Sequence, residues 1–134
     1  MEAESHIIGT CDLKGTTQAP REAREAVREI LGDAHPRLWD IELAASEMVT
    51  NSVVHSLSSN GALVTVVLID LGDAVRIEVI DAGSPPWPHV LRDELAESGR
   101  GLFLVNELSR GRWSHYADEA GRTVWAEIAR GESW

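Results

Sequence analysis

The sequence is short of several residue types, and each shortage excludes a class of protein. Cys11 is the only cysteine in 134 residues, so neither an internal disulfide nor a cysteine-rich metal site can form. Lys14 is the only lysine and lies in a K-G-T-T stretch, and no G-x-x-x-x-G-K-[ST] motif is present, which excludes a P-loop. The longest apolar run, at 63–69, is interrupted by Thr65 and is far shorter than the roughly 20 residues of a membrane-spanning helix.

Positive charge is also scarce. The 12 basic and 22 acidic side chains give a formal net charge of −10. Such a surface repels polyanions, so the composition argues against direct binding of nucleic acid or of an anionic membrane. A nucleotide site stays open, because one magnesium ion and a few oriented amides reverse the potential locally. Residues 1–15 lack the cationic start and apolar core of a signal peptide, which favours a cytoplasmic location.

The hydrophobic pattern predicts a single α+β domain over residues 1–134. Thr16 and Thr17 are candidate N-caps of the first helix, and Gly32 is its candidate C-cap. The element order favours a two-layer sandwich, with the helices on one face of a mixed, mostly antiparallel sheet. The predicted helices span 18–31, 36–57 and 101–109. The predicted strands are an N-terminal strand and two hairpins, 6–13, 62–70 with 74–81, and 112–116 with 122–128.

The second predicted helix carries a candidate site on its polar side. Glu47, Asn51 and His55 are four residues apart and so lie on successive turns of one face. A solvated helix face would give the same pattern, although asparagine is a poor helix former in mid-helix. Glu42 is the one charge on the opposite, apolar arc. The residues of that arc are expected in the core: Leu38, Ile41, Ala45, Met48, Val49, Ser52 and Val53.

Two further motifs have the chemistry of a nucleotide site. D-A-G at 81–83 follows a hydrophobic strand, where a carboxylate can accept from an exocyclic amine and a glycine lets a base approach. A simple turn would use the same residues. S-G-R-G-L at 98–102 opens a helix, whose unpaired amides and positive dipole end suit phosphate oxygens. A Rossmann motif does not fit, because Leu104 occupies the third glycine position and no strand precedes the turn.

In this order, four stretches resemble the GHKL superfamily of ATP-binding domains. The chain is most similar to the small bacterial anti-sigma-factor serine/threonine kinases and to related stand-alone ATP-binding regulators. The resemblance is strongest over 16–128 and implies the Bergerat ATP-binding fold. The four stretches are E-M-V-T-N-S-V-V-H-S at 47–56, V-I-D-A-G at 79–83, G-R-G-L-F-L-V at 99–105 and G-R-T-V-W-A-E-I at 121–128.

The resemblance implies ATP and Mg²⁺ as cofactors and a role for each residue of the helical motif. Asn51 would hold the magnesium ion that bridges the nucleotide phosphates. Glu47, one turn earlier, would be the general base. His55, one turn later, would orient or pack beside them.

The other motifs would bind the base and the phosphates. Asp81 would accept from the adenine amino group, and Gly83 would leave room for the ring. Thr123 would complete the hydrogen bonds to adenine. The sequence departs from the superfamily at Pro85, where many members carry a second glycine. The phosphates would lie against the start of the third helix, at Gly99, Arg100, Gly101 and Leu102.

The resemblance implies an anti-sigma factor that phosphorylates an anti-anti-sigma antagonist and sequesters a sigma factor; it also allows a homodimer. The alternative is a non-catalytic ATP-binding module that sequesters a transcription regulator, since Glu47 permits catalysis without requiring it. A histidine-kinase fragment fits less well, because no dimerising histidine helix is present. In the kinases the partner side includes the first helix, where Arg21, Arg24 and Arg28 recur. The interleaved glutamates are also typical of a solvated stripe.

Overall fold

The computed structural model of the chain describes residues 5–55, 62–82, 100–119 and 121–131. Every helix and strand predicted from the sequence is present in these ranges. The helices are α1 (Ala19–Leu31), α2 (Leu38–His55) and α3 (Arg100–Ser109). The strands are β1 (His6–Lys14), β2 (Leu63–Asp70), β3 (Ala74–Asp81), β4 (Trp113–Asp118) and β5 (Gly121–Ala129).

The five strands form one sheet in the order β1-β2-β3-β5-β4. Both predicted hairpins are present, and β5 also pairs with β3, which places β3 at the centre. All four pairings of the described strands are antiparallel, so a parallel pair, which the prediction allowed, does not occur among them. The predicted two-layer α+β sandwich is confirmed.

The core lies between α2 and one face of the sheet, which we call the helix-facing side. Alternate residues of each strand point to this side, because side chains alternate between the faces of a sheet. Burial of each Val, Ile or Leu contributes roughly 1.5–3 kcal/mol to stability. The helix-facing residues of the three central strands are buried: Val64, Val66 and Leu68 on β2, Val75, Ile77 and Val79 on β3, and Val124, Ala126 and Ile128 on β5.

The predicted apolar arc of α2 is confirmed, since Leu38, Ile41, Met48 and Val49 are all buried. The single charge on that arc, Glu42, is neutralised from the neighbouring helix. No helix in the described part of the chain has the length and apolar character needed to cross a membrane.

Arg28 of α1 is the partner of Glu42. Its Nε lies 2.8 Å from Glu42 Oε1, and its Nη2 lies 3.3 Å from Glu42 Oε2. The two side chains therefore make a bidentate contact between α1 and α2. Arg21 and Arg24, on the same side of α1, are exposed. One of the three arginines of this stripe therefore holds two helices together.

The ends of α1 differ in how well the sequence predicts them. Gly32 is the C-cap, as predicted, with φ of 81° and its N–H donating to the Arg28 carbonyl at 2.8 Å. The prediction of Thr16 or Thr17 as N-cap is wrong, because Gln18 takes that position without a side-chain bond. Thr16 Oγ1 instead accepts from the Gln18 amide at 3.3 Å, and a proline follows in the first turn, where its missing N–H costs nothing.

Candidate functional site

A buried ion pair lies where β3 ends beside the start of β5. Asp81 and Arg122 are directly opposite each other in the antiparallel ladder. Arg122 Nε lies 3.1 Å from Asp81 Oδ2, and the two side chains are 1% and 0% exposed. Removing two charges from water costs several kcal/mol per ion, which their attraction repays only in good geometry. A pair retained at that cost marks this end of the sheet as a candidate site.

Gly121 allows this close approach of β5 to β3. Its φ is +136°, a backbone conformation that L side chains rarely adopt, and a Cβ built on it would overlap the backbone oxygen of Asp81. Only glycine satisfies both conditions. Gly121 therefore determines how close the residue that follows it can come to Asp81.

The C-terminal half of α2 forms the next wall of the site. Asn51 is 4% exposed, and its backbone oxygen lies 3.5 Å from the terminal guanidinium nitrogen of Arg122. Glu47, one turn earlier on the same face, is half-buried. The interpretation of this face as solvated is therefore wrong at Asn51, which is buried.

Thr123 is not brought together with these residues. It pairs with Ile80 on β3 and with Tyr116 on β4, so it lies on the side of the sheet away from α2. On β5 the residue that points into the site is Arg122, which the sequence reasoning missed. The alternation of apolar residues at 124, 126 and 128 was the available signal, because position 122 shares their face.

The predicted phosphate contact lies at the start of α3, a helix that packs against α2. This helix begins at Arg100, one residue before the predicted start, and its first turn contains no acidic residue. Leu102 is 4% exposed and belongs to the core, which anchors the first turn against the body of the domain. The first amides of a helix have no intrahelical partner and attract anions. The predicted phosphate contact is therefore compatible with the helix that is present.

Several predicted site residues fall outside what the structure describes. Gly83 and Gly99 lie in the undescribed ranges. For His55, Arg100 and Gly101 only the helical backbone is described. The geometry of the site therefore depends on Glu47, Asn51, Asp81, Arg122 and Leu102.

The donor set fits a magnesium ion that enters with a nucleotide. Mg²⁺ prefers oxygen ligands and is commonly held by one or two side chains together with substrate phosphates. The Asn51 amide supplies one such oxygen. In the described ranges no cluster of three or more His, Cys, Asp or Glu side chains is placed to hold a metal. The buried Asn51 amide is thus of the donor type that would hold Mg²⁺ together with nucleotide phosphates.

Comparison with known proteins agrees with this geometry. A search among curated proteins finds no match to the chain. The family profile of the histidine kinase-like ATPase domain matches residues 12–128, a range that includes α2, Asp81, α3 and all of β5 except its last residue. Since the profile covers most of the chain, the chain belongs to the histidine kinase-like ATPase domain family.

Proposed function

We propose that this ATP-binding domain is a cytoplasmic anti-sigma factor, which phosphorylates a serine or threonine of its anti-anti-sigma antagonist. Membership of the family supports ATP binding. The observation that carries the kinase activity is Glu47, a half-buried carboxylate one helical turn from the buried Asn51. Nucleotide binding alone requires no carboxylate at that point, whereas transfer to a hydroxyl is accelerated by a proton acceptor.

In this proposal the nucleotide lies between α2, the end of β3 and the start of α3. Asp81 accepts from the adenine amino group, with Gly83 against the ring. Asn51 holds Mg²⁺, which neutralises phosphate charge and polarises the transferred phosphoryl group when bound. The amides and side chains at 99–102 contact the phosphates, and the buried Leu102 side chain anchors that turn. His55, one turn after Asn51 on α2, orients or packs beside the side chains of Glu47 and Asn51.

Glu47 acts on the protein substrate. It takes the proton of the antagonist's serine or threonine hydroxyl as that oxygen bonds to the γ-phosphorus and the bond to ADP breaks. General-base assistance of this kind typically contributes 10²–10⁴-fold to the rate. Its position one turn from Asn51 places the proton acceptor next to the proposed metal ligand.

The partner surface in this proposal includes α1. Arg21 and Arg24 are exposed there, although Arg21 lies 3.9 Å from Glu25 on the same helix. Arg28 is engaged with Glu42. Arg21 and Arg24 therefore offer positive charge for contacts to the sigma factor or the antagonist, while the charge of Arg28, also exposed, is already engaged by Glu42.

The kinase activity is tested by single-turnover transfer from labelled ATP to a candidate antagonist. Glu47→Gln retains the shape of the side chain and removes its basicity. We expect phosphoryl transfer to fall by at least about a hundredfold while ATP affinity, measured by calorimetry, stays within a few-fold of wild type. Glu107→Gln, at an exposed position of α3, is the matched control and should transfer at the wild-type rate.

Two outcomes would contradict this proposal. Transfer by Glu47→Gln at the wild-type rate would show that Glu47 is not the base. A wild-type chain that binds ATP and a sigma factor, but transfers nothing to any antagonist, would establish the non-catalytic binding module instead.

A further inference from the structure

We propose that Arg122 is a positioning residue of the nucleotide site, which fixes the Asp81 carboxylate relative to the α2 backbone at Asn51. This role depends on the proposed function, because Asp81 is the proposed contact to the adenine ring and Asn51 is the proposed contact to Mg²⁺. Arg122 is among the largest fully buried side chains of the described residues. Its guanidinium reaches both elements, at 3.1 Å from Asp81 Oδ2 and 3.5 Å from the Asn51 backbone oxygen.

The chemistry of arginine suits this role. Its planar guanidinium presents donors in fixed directions and can contact two acceptors without changing shape. With Nε directed at Asp81 Oδ2 and Nη2 at the Asn51 backbone oxygen, the guanidinium fixes the position of that carboxylate oxygen relative to α2. The orientation of the Asp81 carboxylate determines whether it can accept a linear hydrogen bond from the adenine amino group.

Stability alone does not account for the pair. The next helix-facing pair along the same ladder is Val79 with Val124, and both residues are fully buried. Apolar residues of similar volume in place of a buried ion pair are often as stable or more stable. Charges therefore replace apolar residues at the point where the ladder meets the proposed ligand.

Arg122 also adjusts the charge of the site. The chain carries a formal net charge of −10, and ATP is itself an anion. A lone buried carboxylate at Asp81 would add to that repulsion. Paired with Arg122, the carboxylate belongs to a pair that as a whole carries no net charge. The pairing therefore favours an adenine nucleotide at a carboxylate that would otherwise oppose it.

The test is calorimetric titration of the intact chain with Mg-ATP and Mg-GTP. Arg122→Met should lose about tenfold in Mg-ATP affinity, because it removes a hydrogen bond to a charged group. The preference for ATP over GTP should shrink by a similar factor, since Asp81 is no longer oriented. Arg122→Lys retains the charge without the planar fork and should give intermediate values.

Arg76→Met is the matched control. Arg76 is also an ion-paired arginine of this sheet, contacting Glu78 at 2.8 Å and Glu127 at 3.2 Å, but it lies on the side away from α2. The Mg-ATP affinity of this variant, and its preference for ATP over GTP, should stay within about twofold of wild type, as expected for independent sites. A general loss of stability from breaking an ion pair would appear in this variant too.

The outcomes separate this role from a structural one. If Arg122→Met and Arg122→Lys melt at lower temperature, but bind ATP and GTP with wild-type affinities, Arg122 is structural only and the inference is overturned. If the wild-type chain binds neither nucleotide, the proposed function fails and this role fails with it.

A readout on wild type covers the case in which Arg122→Met does not fold. The variant Asp81→Asn cannot serve in place of Arg122→Met, because that change leaves the Arg122 charge buried without its partner. The buried Nε–H of Arg122 should give a slowly exchanging ¹⁵N resonance that shifts on addition of Mg-ADP. Saturation with Mg-ADP that leaves this resonance unmoved would overturn the inference.

Discussion

Gly121 and Arg122 are neighbours in sequence, and each makes the other's role at the site feasible. Gly121 brings β5 against the backbone of Asp81, and Arg122 then compensates the charge of the Asp81 side chain. Neither effect is a property of one residue in isolation. The carboxylate proposed to recognise adenine is held by a glycine and by a cation, both contributed by β5.

At this scale we predict that Gly121→Ala destabilises the protein by at least about 2 kcal/mol, because a Cβ adds overlap with Asp81 to an unfavourable φ. Gly111→Ala is the control: its φ is 81°, but nothing lies within 4 Å of a Cβ there, so only the backbone cost of roughly 1–2 kcal/mol is expected. Urea unfolding at equilibrium measures both. Equal losses in the two variants would show that the contact with Asp81 contributes nothing.

At the scale of elements, the connection between α1 and α2 is held by polar contacts to distant parts of the chain. Arg37 donates to the carbonyls of Ala129 and Gly131, each at 2.9 Å, which ties the start of α2 to the end of β5. His35 Nδ1 accepts from the Arg37 amide at 3.1 Å. The position of α2 over the sheet therefore depends on contacts outside the helix.

His35 makes this connection sensitive to pH. Burial lowers the pKa of His35 below its ordinary value of 6.5, the nearby Arg130 and Arg37 lower it further, and Asp70 opposes them. Protonation would also remove the acceptor that Nδ1 offers to the Arg37 amide. The folded chain therefore disfavours the charged imidazole.

We predict that stability falls as pH drops below about 6.5, because the unfolded chain then binds a proton that the folded chain resists. The loss ends once pH passes the lower pKa of the folded state, and stability from this group is complete above 6.5. Urea unfolding between pH 7.5 and 5 should show this slope for wild type and a shallower slope for His35→Gln. His6→Gln, exposed on β1, should retain the wild-type slope. Identical slopes for His35→Gln and wild type would contradict the assignment.

At the scale of the whole molecule, the site is assembled from distant parts of the sequence. Asn51, Asp81 and Arg122 come from a helix, the central strand and the strand that returns to pair with it. The unfolded chain does not hold these residues together. A ligand that requires all of them therefore binds the native state and stabilises it.

We predict that Mg-ATP at about a hundred times its dissociation constant adds about 2.7 kcal/mol to the free energy of unfolding. For a chain of 134 residues this corresponds to a rise in melting temperature on the order of 10 °C. Scanning calorimetry with Mg-ATP, and with ATP and a chelator as control, measures it. Asn51→Ala should abolish the magnesium-dependent part of the shift. A wild-type melting temperature unchanged by millimolar Mg-ATP would contradict an ATP site.

Local pattern alone was enough to determine the elements and the fold class. The apolar arc of α2, the two hairpins and the Gly32 cap depend on residues a few positions apart, and all are present. The motifs around Glu47, Asp81 and Gly99 indicated the family that the profile match shows. These are short-range signals, because the periodicity of a helix or a strand is defined by residues that are close together in the sequence.

Only the tertiary structure decided which residues meet at the site. The register of β3 with β5 placed Arg122 opposite Asp81 and Thr123 opposite Ile80, although a charge facing the core contradicts what hydropathy alone predicts. The burial of Arg122 is tolerated because its counter-charge arrives from a residue 41 positions earlier in the chain. Asn51 is also buried only in the folded chain, where its backbone oxygen lies 3.5 Å from the guanidinium of Arg122, 71 positions later. Compensation between residues so far apart depends on the pairing of β3 with β5, two strands that are neighbours in the sheet but not consecutive in the chain.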